Sequence, residues 1–136
     1  MTVAVTNVSH LRLTVTDIGR SSAFYDAVFG FDVVLEVPEN AGEMTAEALS
    51  FVFGGVIYAF PGGLLGLRPA APEFDRFDED PAGLDHLSFV VPSVDDLTRT
   101  AALLEELGVD HGGIKHLTAV GLAILEFRDP TASRSS

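Results

Sequence analysis

Two short stretches of the chain are nearly identical in pattern, and they constrain the fold more than any other feature. Asn7–Val15 is NVSHLRLTV and Gly83–Val91 is GLDHLSFVV, and in both a histidine precedes an alternation of polar and apolar residues. Alternation with a period of two is typical of a half-buried β-strand. His10 and His86 are 76 positions apart. The repeat predicts a duplicated module whose two copies bury each other's open faces.

A helical pattern follows each repeated strand. In the first half, Asp17 is placed to cap a helix that Gly30 would end. In the second half, Ser93 and Asp96 resemble a capping box, and Gly108 is placed to end the helix. The residues predicted to face the core at helical spacing are Phe24, Ala27, Val28 and Phe31 in the first helix and Val94, Leu97, Ala101 and Leu104 in the second.

The remaining elements are predicted to be strands, so the fold class is α+β. FDVVLEV, EALSFVFGG and VIYAFPGGLLGL are three strands of the first half, with a turn at NAGE, and HGGIKHL and LAILEFRD belong to the second half. Each half is therefore predicted to be a β-α-β-β-β module, and we expect the last strand of the second module to be missing because polar PTASRSS stands there. We predict one domain over residues 1–136, with modules 5–68 and 84–129 joined by an acidic, proline-rich surface linker, 69–83.

Composition narrows the classes of partner. The chain has 20 acidic and 8 basic side chains, a net charge of -12, which argues against a nucleic-acid partner because such binding depends on Lys and Arg. There is no cysteine, so neither a thiolate metal site nor a cysteine nucleophile is available. Neither a phosphate-binding loop nor a serine nucleophile elbow is recognisable. We find no apolar run of bilayer length and no secretory signal, so we expect a cytoplasmic protein with no membrane partner.

Several longer stretches, in their order and spacing, resemble the vicinal oxygen chelate superfamily of glyoxalases, bleomycin-resistance proteins and extradiol dioxygenases. They are HLRLTVTDIGRSSAFYDAVFGF, LLGLRP, FDEDPAGLDHLSFVVPSVDDLTRTAALLEELGV and ILEFRDP, and they are similar to actinobacterial-type members. The resemblance implies the glyoxalase/bleomycin resistance/dioxygenase fold, in which the two modules form a curled mixed sheet around a cleft. It also implies a homodimer, because relatives commonly form dimers.

The resemblance implies that any metal ligands would lie on the first and last strands of each module, as they do in the metal-using relatives. It places two of them at His10 and His86, whereas the third falls at or beside Arg68 and the fourth is missing with the last strand. Arg12 shares a strand face with His10, so its charge would lie close to any bound cation. These departures predict no metal cofactor. The alternative is one divalent metal ion, bound by His10, His86 and Glu126.

The residues expected to bind a ligand in the cleft are His10, Arg12, Phe51, Phe53, Arg68 and His86, and no catalytic residue is predicted. Each has an ordinary structural explanation as well. The histidines can be half-buried strand residues with hydrogen-bonded rings, Arg68 can form an ion pair with Asp75 or Asp78, and the aromatic residues can be core. His111 and His116 are expected to be exposed.

The leading hypothesis is a bleomycin-resistance-like protein that binds a small aromatic or drug-like molecule without metal, for antibiotic resistance or for carrying a biosynthetic intermediate. One alternative is a metal-dependent lyase, isomerase or dioxygenase, and another is an inactive structural or regulatory relative. Net charge favours a cationic ligand, whereas the local arginines favour an anionic or quinone-like one. The arginines count for more, because bulk charge is screened beyond about 10 Å.

Overall fold

A computed structural model describes residues 2–36 and 55–131 of the chain. The chain divides into two compact units, Met1–Asp75 and Arg76–Ser136. The division falls inside the stretch that the sequence predicts to be a linker. Within the described residues, each unit combines strands with an α-helix, which confirms the α+β fold class.

The first unit contains a four-stranded mixed sheet in the order β1-β4-β3-β2. β1 is parallel to β4, whereas β3 is antiparallel to both β4 and β2. Its elements are β1 (His10–Thr14), α1 (Ile18–Val28), β2 (Asp32–Glu36), β3 (Val56–Phe60) and β4 (Gly63–Arg68).

The second unit contains a helix and a two-stranded antiparallel sheet, together with one turn of 3-10 helix at Thr118–Val120. Its regular elements are α2 (Val94–Glu106), β5 (His111–Leu117) and β6 (Leu122–Phe127). β5 and β6 confirm the two strands predicted after the second helix.

Both helices begin and end where the sequence predicts. The Asp17 carboxylate accepts the Arg20 backbone N–H at 3.0 Å, and Gly30 adopts a φ of 61° just after α1. The Ser93 hydroxyl accepts the Asp96 backbone N–H at 3.4 Å and donates to the Asp96 carboxylate at 2.8 Å. These donors and Arg99, which contributes most, lower the pKa of the Asp96 carboxyl.

The buried faces of the helices differ in part from the prediction. In α1 the buried residues are Ser21 and Tyr25, Ala27 is exposed, and Phe31 lies beyond the end of the helix, contrary to the prediction. In α2 Leu104 is fully buried, as predicted, whereas Val94 at the first turn is exposed. Periodicity identified an apolar stripe in each helix, but it could not show which edge of the stripe the sheet covers.

The core of the first unit lies between α1 and one face of the sheet, hereafter the helix face. Val15, Tyr58, Leu65 and Leu67 are almost completely buried there. Burial of each such side chain contributes about 1.5–3 kcal/mol to folding. The Tyr58 hydroxyl donates to the Ser22 carbonyl at 3.5 Å and so connects β3 to α1.

VIYAFPGGLLGL is a hairpin of two strands, so the prediction of a single strand there is wrong. Phe60 pairs with Gly63, and the turn between them is Pro61-Gly62. A proline followed by a glycine commonly forms a tight turn, so Pro61-Gly62 indicated the hairpin. The apolar residues on either side of the dipeptide led to the prediction of one continuous strand. The predicted turn at NAGE and all of the predicted strand EALSFVFGG except its last residue lie outside the described residues.

The second repeated stretch is not a strand, contrary to the prediction. Residues 84–91 have no assigned secondary structure, although Leu87 and Phe89 are half-buried between exposed neighbours. In the first unit β1 pairs with β4, which lies between β1 and β3. The described part of the second unit contains no strand equivalent to β4, so the alternating pattern is present without a hydrogen-bonded ladder.

The predicted linker is largely exposed. Hydrogen bonds connect its second half to the last described residues of the second unit. The Phe77 backbone N–H donates to the Thr131 carbonyl at 2.9 Å. The Arg128 guanidinium donates to both carboxylate oxygens of Glu79, at 3.2 and 2.9 Å. The hydrogen bonds that Arg128 donates to the Glu79 carboxylate raise the pKa of Arg128. A forked pair of this kind constrains geometry as well as charge.

Gly63 occupies a position where a side chain does not fit. A Cβ there would lie 2.7 Å from the Ser9 carbonyl oxygen, and φ is 156°. We predict that Gly63→Ala lowers the free energy of unfolding, measured in urea, by about 1–3 kcal/mol. Gly83→Ala is the matched control, because Gly83 has the same φ and no atom of the described residues lies within 4 Å of the place of a Cβ there. Equal losses in the two variants would contradict a role for the Ser9 contact.

Tyr58 is predicted to make the protein less stable in alkali. Burial, followed by a hydrogen bond with Asp26, raises the pKa of Tyr58 above its ordinary value of 10.0. The unfolded state therefore loses this proton first, and stability falls as pH rises above that value. Tyr58→Phe should remove this part of the alkaline loss in urea titrations, and Tyr25→Phe should leave it. If the stability of Tyr58→Phe fell as steeply with rising pH as that of the wild-type chain, the alkaline loss could not be assigned to Tyr58.

Candidate functional site

The candidate site lies on the sheet face opposite α1, hereafter the open face. It carries the polar side chains of β1, namely His10, Arg12 and Thr14, all of which are exposed. The parallel register pairs these residues with Leu64, Gly66 and Arg68 of β4. Paired residues point to the same side of a sheet, so His10, Arg12 and Arg68 share one face of this unit, and their binding of a ligand stays a prediction.

Three rows of residues cross the open face. One row contains His10, Leu64, Ala59 and Asp32, and the next contains Arg12, Gly66, Ile57 and Leu35. The last pairs Thr14 with Arg68. The face is thus apolar in its middle, with the imidazole and the two guanidinium groups toward the β1 side.

Arg12 lies across the strand next to it. A Cβ built on Gly66 would be 3.3 Å from Arg12 Cγ and 3.8 Å from Cδ, so the Arg12 stem covers the Gly66 backbone. Glycine in a strand interior often marks such a close approach. Arg68 follows Gly66 by two residues on the same face, about 7 Å along β4. Both guanidinium groups therefore arise from one corner of the open face.

The imidazoles of His10 and His86 are both exposed, and the Nδ1 atom of each forms a hydrogen bond with the side chain of the preceding residue. His10 Nδ1 is 3.0 Å from the Ser9 hydroxyl, and His86 Nδ1 is 2.8 Å from the Asp85 carboxylate. Neither Nε2 atom has a hydrogen-bond partner within residues 2–36 and 55–131. Because a carboxylate only accepts, the Asp85 contact puts a proton on His86 Nδ1 and leaves an Nε2 lone pair in the neutral ring.

The remaining predicted site residues are not brought to the open face by the first unit. Phe51 and Phe53 lie outside the described residues. His86 and Glu126 belong to the second unit, and the Glu126 carboxylate lies 3.7 Å from Lys115 Nζ. No three His, Asp or Glu side chains of the described ranges are grouped as a metal site. The convergence of His10, His86 and Glu126 stays a prediction.

His111 is more buried than expected, because its side chain is only 14% exposed. Its Nδ1 accepts the Gly113 backbone N–H at 3.0 Å, and Nε2 lies 3.2 Å from the Glu105 carboxylate. These contacts hold a bulged start of β5 against the end of α2. His116 is exposed, as predicted.

Arg12 and Arg68 define one corner of the open face, hereafter the arginine corner. Two further residues that shape this corner were not predicted from the sequence. Thr14 faces Arg68 across the β1–β4 pair, and Gly66 makes room for the Arg12 stem. The signal for Gly66 was present, since a single glycine interrupts the apolar run LLGL. No local sequence signal indicates the β1–β4 register that pairs these residues.

Comparison with known proteins establishes the family. The profile of the Glyoxalase/Bleomycin resistance protein/Dioxygenase superfamily matches residues 7–132. The chain belongs to this superfamily, as its sequence motifs predict. No curated protein matches the chain. The more specific prediction of an actinobacterial-type member stays a prediction.

Solved structures with the same fold include a glyoxylase/bleomycin resistance protein/dioxygenase domain from Frankia sp. EAN1pec. It is 28% identical, with a TM-score of 0.72 over 94% of this chain and 87% of that one. A variant of the fosfomycin resistance protein FosX from Listeria monocytogenes, solved with Mn(II) and 1S,2S-dihydroxypropylphosphonic acid, is 13% identical, with a TM-score of 0.70 over 94% and 87%.

A third similar structure is lactoylglutathione lyase from Agrobacterium tumefaciens, 19% identical, with a TM-score of 0.62 over 94% of this chain and 89% of that one. At these low identities, FosX and the lyase support the fold alone. Separately, the described helices include none long and apolar enough to cross a membrane.

The Arg128–Glu79 pair is predicted to stabilise the second unit. Glu79→Gln removes the charge from a bidentate, half-buried ion pair, and we expect the free energy of unfolding to fall by roughly 1 kcal/mol. Glu73→Gln in the exposed part of the linker is the matched control and should change little. Urea denaturation of both variants provides the measurement. Equal stabilities would show that the pair contributes nothing to folding.

Proposed function

We propose that this protein binds a small aromatic or drug-like molecule on its open face without a metal ion. The observation that carries the proposal is the combination of a few polar groups with an apolar floor on one accessible surface. His10, Arg12 and Arg68 lie beside Leu64 and Ile57, toward the β1 side of the face. Small-molecule sites are mostly apolar, with a small number of polar groups that set orientation.

The charges on the open face support binding without a metal. Arg12 is two residues from His10 on the same face, so a cation held by His10 would lie close to a guanidinium. Arg68 stands on the same face, at the position where the family resemblance implies a metal ligand. An arginine carries a permanent positive charge and cannot serve as that ligand.

A biological role in sequestration follows from this proposal. Binding without chemical change suits resistance to an antibiotic or the carrying of a biosynthetic intermediate, and we place either role in the cytoplasm. We also propose a homodimer and no nucleic-acid partner. The net charge of -12 supports the last point, because a polyanion would be repelled.

A metal-dependent lyase, isomerase or dioxygenase is the second candidate, and the Asp85–His86 pair favours it. A carboxylate that accepts from one ring nitrogen commonly orients a histidine whose other nitrogen binds metal. Such an enzyme would use His10 and His86, with Glu126 as the further ligand. A bound ion would supply Lewis-acid stabilisation of a negatively charged oxygen on the substrate.

Metal analysis combined with probe binding tests the proposal. Protein purified without chelators should contain far less than one equivalent of manganese, iron, nickel or zinc. Its affinity for naphthalene-2-carboxylate, measured by calorimetry, should not change after dialysis against EDTA. Near-stoichiometric metal that disappears in the His10→Ala, His86→Ala double variant would overturn the proposal and support the second candidate. Arg20→Ala on the helix side is the matched control for folding and charge.

A further inference from the structure

We infer that Arg12 and Arg68 together bind a carboxylate or a similar oxyanion on the ligand, which makes the site selective for anionic aromatic compounds. The inference rests on the proposed function and adds to it the class of ligand and the residues that select it. It concerns the corner of the open face where β1 and β4 pair.

The register brings the two guanidinium groups within reach of one anion. Arg12 pairs directly with Gly66, and Arg68 is two residues further along β4 on the same face. One interstrand spacing of about 4.8 Å and a two-residue step of about 7 Å separate their backbone positions. An arginine side chain is long enough to span that separation, so both can contact a group bound between them.

The glycine opposite Arg12 lets the Arg12 side chain lie over β4. The Arg12 stem lies on Gly66, with Cγ only 3.3 Å from the place of a Cβ. A methyl group at this position would require the stem to shift by a few tenths of an ångström. The Arg12 side chain therefore crosses from β1 onto β4, the strand that carries Arg68.

The chemistry of the corner favours an oxyanion. Two guanidinium groups that arise from one corner of the face both attract an anion. Guanidinium forks match a carboxylate in a bidentate geometry, and such charge-assisted hydrogen bonds are about twice as strong as neutral ones. Thr14, which pairs with Arg68, adds a hydroxyl that can donate to the same group.

The rest of the open face suits the apolar body of the ligand. Leu64 and Ile57 lie on β4 and β3 beside the arginine corner, and Leu64 is 37% exposed. A ring placed there would cover apolar surface while its carboxylate contacts Arg12 and Arg68. His10, in the row of Leu64, is placed to bond a second polar substituent through Nε2.

A matched pair of probes tests the inference. Naphthalene-2-carboxylate and naphthalene-2-carboxamide have the same shape and differ in charge. We expect the carboxylate to bind at least about tenfold more tightly in calorimetry, because charge-assisted bonds replace neutral ones. Its affinity should fall as salt is added, whereas that of the carboxamide should not.

Arginine variants assign the selectivity to the corner. Arg12→Met and Arg68→Met should each weaken carboxylate binding roughly tenfold or more and leave carboxamide binding nearly unchanged. Arg12→Lys, which keeps the charge and loses the fork, should be intermediate. Arg20→Met on α1 is the matched control and should bind both probes as the wild-type chain does. Circular dichroism confirms that each variant is folded.

The outcomes separate this inference from the proposed function. Equal affinities for the two probes, or carboxylate binding that is insensitive to both arginine substitutions, would overturn the oxyanion inference and leave metal-free binding intact. Binding of neither naphthalene probe would overturn both. Carboxylate binding that requires a stoichiometric metal would overturn the proposed function and assign the anion to the ion instead of the arginines.

Discussion

The parallel pairing of β1 with β4 is the interaction on which the first unit depends. It inserts β4 between β1 and β3, buries Leu65 and Leu67 against α1, and turns Leu64, Gly66 and Arg68 to the other side. A register shift of one residue would exchange these two sets. The tight approach of Gly63 to the Ser9 carbonyl at the start of the pair opposes such a shift.

Much of this fold could be predicted from local sequence because its signals are local. Asp17 and Ser93 cap their helices, Gly30 and Gly108 follow them with positive φ, and alternation assigns β1 to a sheet with the correct faces. These features depend on residues a few positions apart. The superfamily was also recognisable, because its motifs extend over nearly the whole chain.

The features that could not be predicted depend on distant partners. An alternating pattern shows that residues 84–91 can form a strand, but a strand also requires a neighbour, and the described residues supply none. The burial of His111 could not be predicted, because its contacts with Glu105 and Gly113 depend on the packing of α2 on β5. For the candidate site, the histidines and arginines were identified individually. Their shared corner required the β1–β4 register.

The length of chain between β1 and β4 gives this corner a particular place in folding. Their paired residues lie about 54 positions apart, whereas the β3–β4 hairpin closes through a two-residue turn. Local hairpins form early, and contacts between distant segments form late because closing a long loop costs entropy. We therefore expect the two arginines to become neighbours only after the long loop between β1 and β4 has closed. A molecule that spans them joins the two ends of that loop, and its binding energy opposes the opening of the same strand pair.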